Sequence, residues 1–147
     1  MSVSPMMNEK KALIESMLKD TRSKKDAYKK QMHKYRLMNN ITEIIMILFT
    51  GLAAGSSSAR LIINERTTSV LSVLFSSISG FFAILRRVTD LNKQTDSYKN
   101  TYLQLSELER YIQNVLVQTP NPSQYNSIIS EINLKTSFIE SLSIPIE

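Results

Sequence analysis

Cysteine and tryptophan are absent from these 147 residues, histidine occurs once, and there are only three glycines and four prolines. Without cysteine there is no disulfide framework and no thiolate metal site, and one histidine cannot build a zinc cluster. The redox compartment is therefore unconstrained. No phosphate-binding glycine loop, H-E-x-x-H, G-x-S-x-G or paired-carboxylate arrangement occurs in a setting that supports chemistry, so no catalytic residue, cofactor or metal is assigned. The expectation is a protein that is not an enzyme. Scarce glycine and proline leave long stretches that nothing interrupts: after Pro5 neither residue recurs before Gly51.

Charge is missing from two places. Ile44 to Ala59 and Thr67 to Leu85 carry none, with only Arg60 to Arg66 between them. A helix needs roughly 17 to 25 apolar residues to cross the hydrocarbon core of a bilayer, so the pair reads as a transmembrane hairpin. In the second run ten Leu, Ile, Phe or Val residues contribute roughly −3 to −6 kcal/mol of insertion free energy. Six in the first contribute roughly −2 to −4 kcal/mol. At 1.5 Å per residue the first run covers about 24 Å of a roughly 30 Å core, so it is expected to extend to Ile63 with Arg60 snorkelling to the interface. The competing reading makes both runs core helices of a soluble bundle. The first 43 residues are too long and polar for a secretory signal, so insertion is expected to use the internal hairpin.

Charge elsewhere orients it. Lys24, Lys25, Lys29, Lys30, Lys34 and Arg36 precede the first run, Arg86, Arg87, Lys93 and Lys99 follow the second, and Arg60 and Arg66 lie between them. Cytoplasmic flanks are enriched in Lys and Arg, which predicts both termini inside and loop 60–66 opposite. The sequon Asn40-Ile41-Thr42 falls on the wrong side for glycosylation. Residues 9 to 36 hold ten basic residues against four acids. Lys29, Lys30, Lys34, Arg36, Arg86 and Arg87 then face anionic lipid headgroups, each close charge contributing about 1 kcal/mol. Tyr28 and Tyr35 are too few to make this a nucleic-acid surface, and His33 has no ligand-type neighbours.

The fold expected is all-α: residues 1–43 as a basic helix, 44–85 as the hairpin, 86–118 as a post-membrane helix and 119–147 as an amphipathic helix. Ser4 and Pro5 form a cap and first-turn pair, followed by Leu13, Met17, Tyr28, Met32 and Tyr35 at helical spacing. From Val88, the positions Leu91, Thr95, Tyr98, Tyr102, Leu105, Ile112 and Leu116 repeat at three and four residues, with Leu108 beside the stripe where Glu109 takes the expected place. That is a coiled-coil-like seam. Thr119 to Pro122 breaks the chain, with Asn121 and Pro122 a second cap pair. Tyr125, Ile128, Ile129, Ile132, Ile139 and Leu142 then form another stripe. The product predicted is a three-helix antiparallel cytoplasmic stalk.

Inside the hairpin, Gly51 and Gly55 form G-x-x-x-G and Ser76 and Gly80 a small-x-x-x-small, both permitting close backbone approach in lipid. Ser69, Ser72, Ser76 and Ser79 form a polar stripe on the second run. It reads as a packing seam between spans or protomers, or, in an oligomer, as the lining of a water-filled path. Glu43 reads as a boundary carboxylate or a gate.

A basic helix running into a span (Tyr28-Lys29-Lys30 through Tyr35-Arg36), a short loop, a second span ending in Arg86-Arg87, and a Tyr102-x-x-Leu105-x-x-x-Glu109-x-x-Ile112 helix resemble the SLATT-type two-transmembrane effector family over residues 25–118. The resemblance implies a membrane effector of pore-forming character, as in bacterial conflict systems, with similar proteins in large DNA viruses. The chain is therefore expected to be a homo-oligomeric effector that permeabilises a bilayer. The alternative is a structural scaffold or anchor, such as a viral membrane protein contacting an overlying assembly through its stalk.

Overall fold

Proline at position 5 opens the first helix, its missing N–H falling where a helix has no internal partner for it; Ser4, its expected cap, lies outside the described residues. The computed structural model describes residues 5–58, 64–118, 121 and 123–145. Among these the regular elements are all helices: α1 (Pro5–Ser58), α2 (Glu65–Thr89), α3 (Leu91–Gln118) and α4 (Tyr125–Leu142). They form two compact units, one of residues Met1–Met32 with Asp96–Glu147 and one of His33–Thr95.

In the first unit α1 and α3 run antiparallel, because Arg22 and Lys25 meet Glu109 while Tyr28 meets Tyr98. Helix α4 is parallel to α1: Lys24 pairs with Glu140, and Tyr28 Oη donates to the Ile144 carbonyl at 3.1 Å. The core is built from Ile14, Ile112 and Ile132, essentially without exposure, with Leu105, Leu108, Val115, Tyr125 and Ile139. Thr21 and Thr101 are buried among them at no polar cost, since their hydroxyls donate to the carbonyls of Met17 and Ser97 one turn back.

The buried stripes differ from the expected ones in particulars. Ile14 is buried where Leu13 is exposed. On α3, Leu91, Tyr98, Leu105 and Ile112 are buried as expected, but Tyr102 and Leu116 are only half-buried, and Thr101, Leu108 and Val115 are inside; Val88, the first position of the expected stripe, lies on α2 and is exposed. A helix packed against one neighbour shows a narrow seam; α3 packs against both α1 and α4 and presents a wider face. On α4, Leu142 is exposed and Ile128 and Ile129 are half-buried.

In the second unit the C-terminal part of α1 and α2 form an antiparallel hairpin. Asn64 caps α2, its side-chain oxygen accepting from the Arg66 N–H at 3.2 Å. Glu65 and Arg66 are thus the first turn of α2 rather than loop. Arg60 and the expected extension to Ile63 lie outside the described residues, as does Pro122 of the second cap pair. The boundary expected at Arg86 falls at Asp90, whose backbone is left-handed (φ 47°, ψ 41°). On α2 the row Thr68, Phe75, Phe82 is buried at its first position and half-buried at the other two. Asp90 separates α2 from α3, as one of the few residue types that tolerate this conformation.

Ile112→Ala should lower stability by about 2–4 kcal/mol in denaturant unfolding, whereas Val117→Ala, at an 81% exposed site, should cost under about 0.5 kcal/mol. Asp90→Gly should be neutral or stabilising, and Asp90→Val should cost about 1–2 kcal/mol by the same measurement.

Candidate functional site

The hairpin owes its pairing to polar ties one heptad apart. Glu43 faces Arg86 at 3.9 Å, Thr50 and Ser79 share a hydrogen bond at 2.7 Å, and Ser57 and Ser72 share one at 3.0 Å. Each step is seven residues on both helices. Ser72 also reaches the Ala53 carbonyl at 3.3 Å and Ser79 the Met46 carbonyl at 3.4 Å. Between these ties Phe49 and Phe75 pack with ring centroids 5.9 Å apart, and Ala53 is buried. The small residue that lets the helices approach is therefore Ala53, not a glycine.

The serine stripe divides accordingly. Ser72 and Ser79 face α1 and spend their hydroxyls there. Ser69 is half-buried, and Ser76 is exposed with no hydrogen-bond partner among the described residues. Gly51, Gly55 and Gly80 are exposed, and a Cβ added at any of them would meet nothing within 4 Å. Both small-residue motifs thus point away from the hairpin seam.

The outer faces are apolar. Of the 21 exposed large hydrophobic side chains among the described residues, 14 lie in this unit, from Leu37 to Leu52 on α1 and from Val70 to Val88 on α2. The most apolar 18-residue window of α1 has mean hydropathy 1.5 and is 11% buried; that along α2 and α3 has 1.9 and is 6% buried. Two helices are long and apolar enough to cross a membrane. At one end of the hairpin stand Lys34, Arg36 and Arg87, all exposed, with Arg86 half-buried against Glu43. His33 is exposed beside them. Thr42 of the sequon is buried, its hydroxyl donating to the Met38 carbonyl at 2.8 Å.

The strongest electrostatics lie in the first unit, around Glu109, whose place in the stripe and in the Tyr102 to Ile112 motif gives no sign of its ion pairs. Glu109 accepts from Lys25 and, at 2.8 Å, from Arg22 Nε, and these partners hold its carboxyl below the usual range. Lys25 is raised in return, by its bond to Glu109. Lys24 is raised by Glu140 and Asp20. Burial, then the 2.7 Å hydrogen bond to Glu131, pushes the Tyr111 phenol up to about 12. Lys29 and Lys30 are exposed. The signal for Glu109 was its interruption of an apolar stripe; its partners lie more than eighty residues away.

The chain matches no protein-family model, no curated protein and no solved structure.

A lowered carboxyl contributes stability that is complete above its unfolded value, about 4.3, and is lost as pH falls through the folded value. Raised lysines and a raised tyrosine act oppositely, contributing fully below about 10 and losing it as pH rises toward their folded values. Glu109→Gln should therefore cost about 1–2 kcal/mol at neutral pH, flatten the acid limb of a stability-against-pH curve and remove the share of Lys25 from the alkaline limb, leaving those of Lys24 and Tyr111 in place.

Proposed function

We propose that this chain is a small two-span integral membrane protein whose helical hairpin sits in the bilayer and whose three-helix bundle serves as a protein-contact surface, an anchor or scaffold. One observation carries the reading: the two most apolar stretches are only 11% and 6% buried. The core helix of a soluble bundle has the same composition but buries it. The exposed apolar band runs about 24 Å along α1 and about 28 Å along α2, close to a hydrocarbon core of about 30 Å. In lipid no hydrophobic force holds two helices together, so hydroxyl pairs and close packing must do it. The ties from Ser57 to Ser72 and from Thr50 to Ser79 fit that requirement. Lys34, Arg36, Arg86 and Arg87 crowd one end of the hairpin and suit anionic headgroups on the cytoplasmic side.

A second reading, an assembly that permeabilises the bilayer, is favoured by Ser76, whose hydroxyl the hairpin leaves unused beside Gly80. It agrees with the resemblance to the SLATT-type effectors. The path would be lined by Ser76 and Ser69, because Ser72 and Ser79 are engaged with α1.

Membranes from cells expressing the chain should retain it through alkaline carbonate extraction, and Leu48→Arg with Leu74→Arg should release it, since each mid-span arginine costs about 2.5–3.5 kcal/mol of insertion. Release of the native protein would return it to the soluble class. Dye-loaded vesicles containing the protein should stay tight under the anchor reading. Leakage that Ser76→Leu abolishes would establish the second reading instead.

A further inference from the structure

The Glu43–Arg86 pair gives the hairpin a starting plane. With side chains 50% and 28% exposed, the pair is too open to lie in hydrocarbon and marks the headgroup level at that end. Leu37, Met38, Ile41 and Val88, exposed outside it, stand among Arg36, Asn40 and Arg87 and belong to the same layer. From the pair inward, large apolar side chains continue on α1 for nine residues, to Leu52, and on α2 for sixteen, back to Val70. Those lengths are about 14 Å and about 24 Å.

The loop end is built differently. Helix α1 closes with Ala53, Ala54, Gly55, Ser56, Ser57 and Ser58, and α2 opens with Glu65, Arg66, Thr67, Thr68 and Ser69. Ser56 and Ser57 donate to the Ala53 carbonyl at 2.9 and 3.0 Å, Ser58 to that of Ala54 at 3.1 Å and Thr68 to that of Glu65 at 2.9 Å. Hydroxyls bonded in this way are tolerated beside lipid but do not drive insertion as Leu, Ile, Phe and Val do. The Ser57–Ser72 tie stands fourteen residues from Glu43–Arg86 on both helices, about 21 Å, and Arg66 stands twenty residues from Arg86, about 30 Å. A hydrocarbon core of about 30 Å therefore encloses the whole hydroxyl layer and reaches Thr67 and Arg66, both exposed.

We infer that the hairpin selects a thin bilayer of short acyl chains, with a hydrocarbon core of about 21–25 Å, an inference that rests on the membrane reading above. Bilayers rich in sterol and sphingolipid, about 32–33 Å thick, leave its loop end unmatched. A span too short for its bilayer thins it or associates with other copies. Association covers the sides of a hairpin and leaves its length unchanged, so it does not remove Thr67 and Arg66 from a thick core.

The test reconstitutes the full chain into phosphatidylcholine vesicles whose monounsaturated chains run from about 14 to about 22 carbons, and measures the protein that resists carbonate extraction. The yield should be highest at about 14–16 carbons and fall at least about three-fold by about 22. Gly55→Leu, Ser58→Leu and Thr67→Leu together extend the apolar bands toward the loop at exposed positions; a Cβ at Gly55 meets nothing within 4 Å. This variant should move the maximum to chains longer by about two to four carbons. Circular dichroism checks that it remains helical, and the profile of the native chain stands as a test without it. A native yield that rises with chain length, a yield sustained in long chains by crosslinkable oligomers, or a folded variant with the native profile would each overturn the inference. A native yield equal in every bilayer refutes the thickness preference alone, and release from all of them refutes the membrane reading.

Discussion

Three polar ties, from Glu43 to Arg86, Thr50 to Ser79 and Ser57 to Ser72, stand at equal seven-residue steps on both helices of the hairpin, and the orientation of every other side chain there follows from them. Seven residues make almost two turns, so a row with that period stays on one face of a helix. Once the row is fixed to the seam, Gly51, Gly55 and Gly80 must lie elsewhere, and the bulky aliphatic residues are left on the outside. In water that arrangement would be inverted from the usual one. In hydrocarbon it is economical, because facing hydroxyls bond each other and the apolar surface meets lipid.

The same period extends along α1. Ile14, Thr21, Tyr28, Tyr35, Thr42, Phe49 and Ser56 follow one another at seven-residue steps, all buried or half-buried. Three are hydroxyl residues of small size, which explains why the apolar pattern of this helix looks thin. Thr21 and Thr42 satisfy themselves on the preceding turn and act as small packing residues. On α3 Leu91, Tyr98, Leu105 and Ile112 keep the same period, and one left-handed aspartate, Asp90, separates that helix from α2.

Much of this was legible in the residues. The charge-free runs, the uninterrupted chain from Pro5 to Gly51 and the four-element helical order depend on composition and period alone. Leu91, Tyr98, Leu105 and Ile112 were recognisable as a stripe, and they are buried. Leu13 and Ile14, two adjacent aliphatic residues, fit the same loose periodicity, and only the packing of α3 and α4 chooses Ile14 for the core. Glycine spacing indicated close approach without saying to what. Asp90 was invisible, since a single αL residue leaves no periodic trace in a run of helix-forming residues.

What the sequence determined by itself was the inventory: helices throughout, two stretches apolar enough for a bilayer, and basic residues gathered at their flanks, all of which follow from local propensity and summed transfer energy. What only the tertiary structure decided was which face of each helix meets which neighbour. Ser72 and Ser79 are turned inward and Ser76 outward, Glu109 is placed between Arg22 and Lys25, and Leu134 and Phe138 of α4 are left exposed. The physical reason is that a helix surface repeats every 3.6 residues while a seam repeats every seven. Several registers therefore satisfy one sequence, and the contacts made by distant residues select among them.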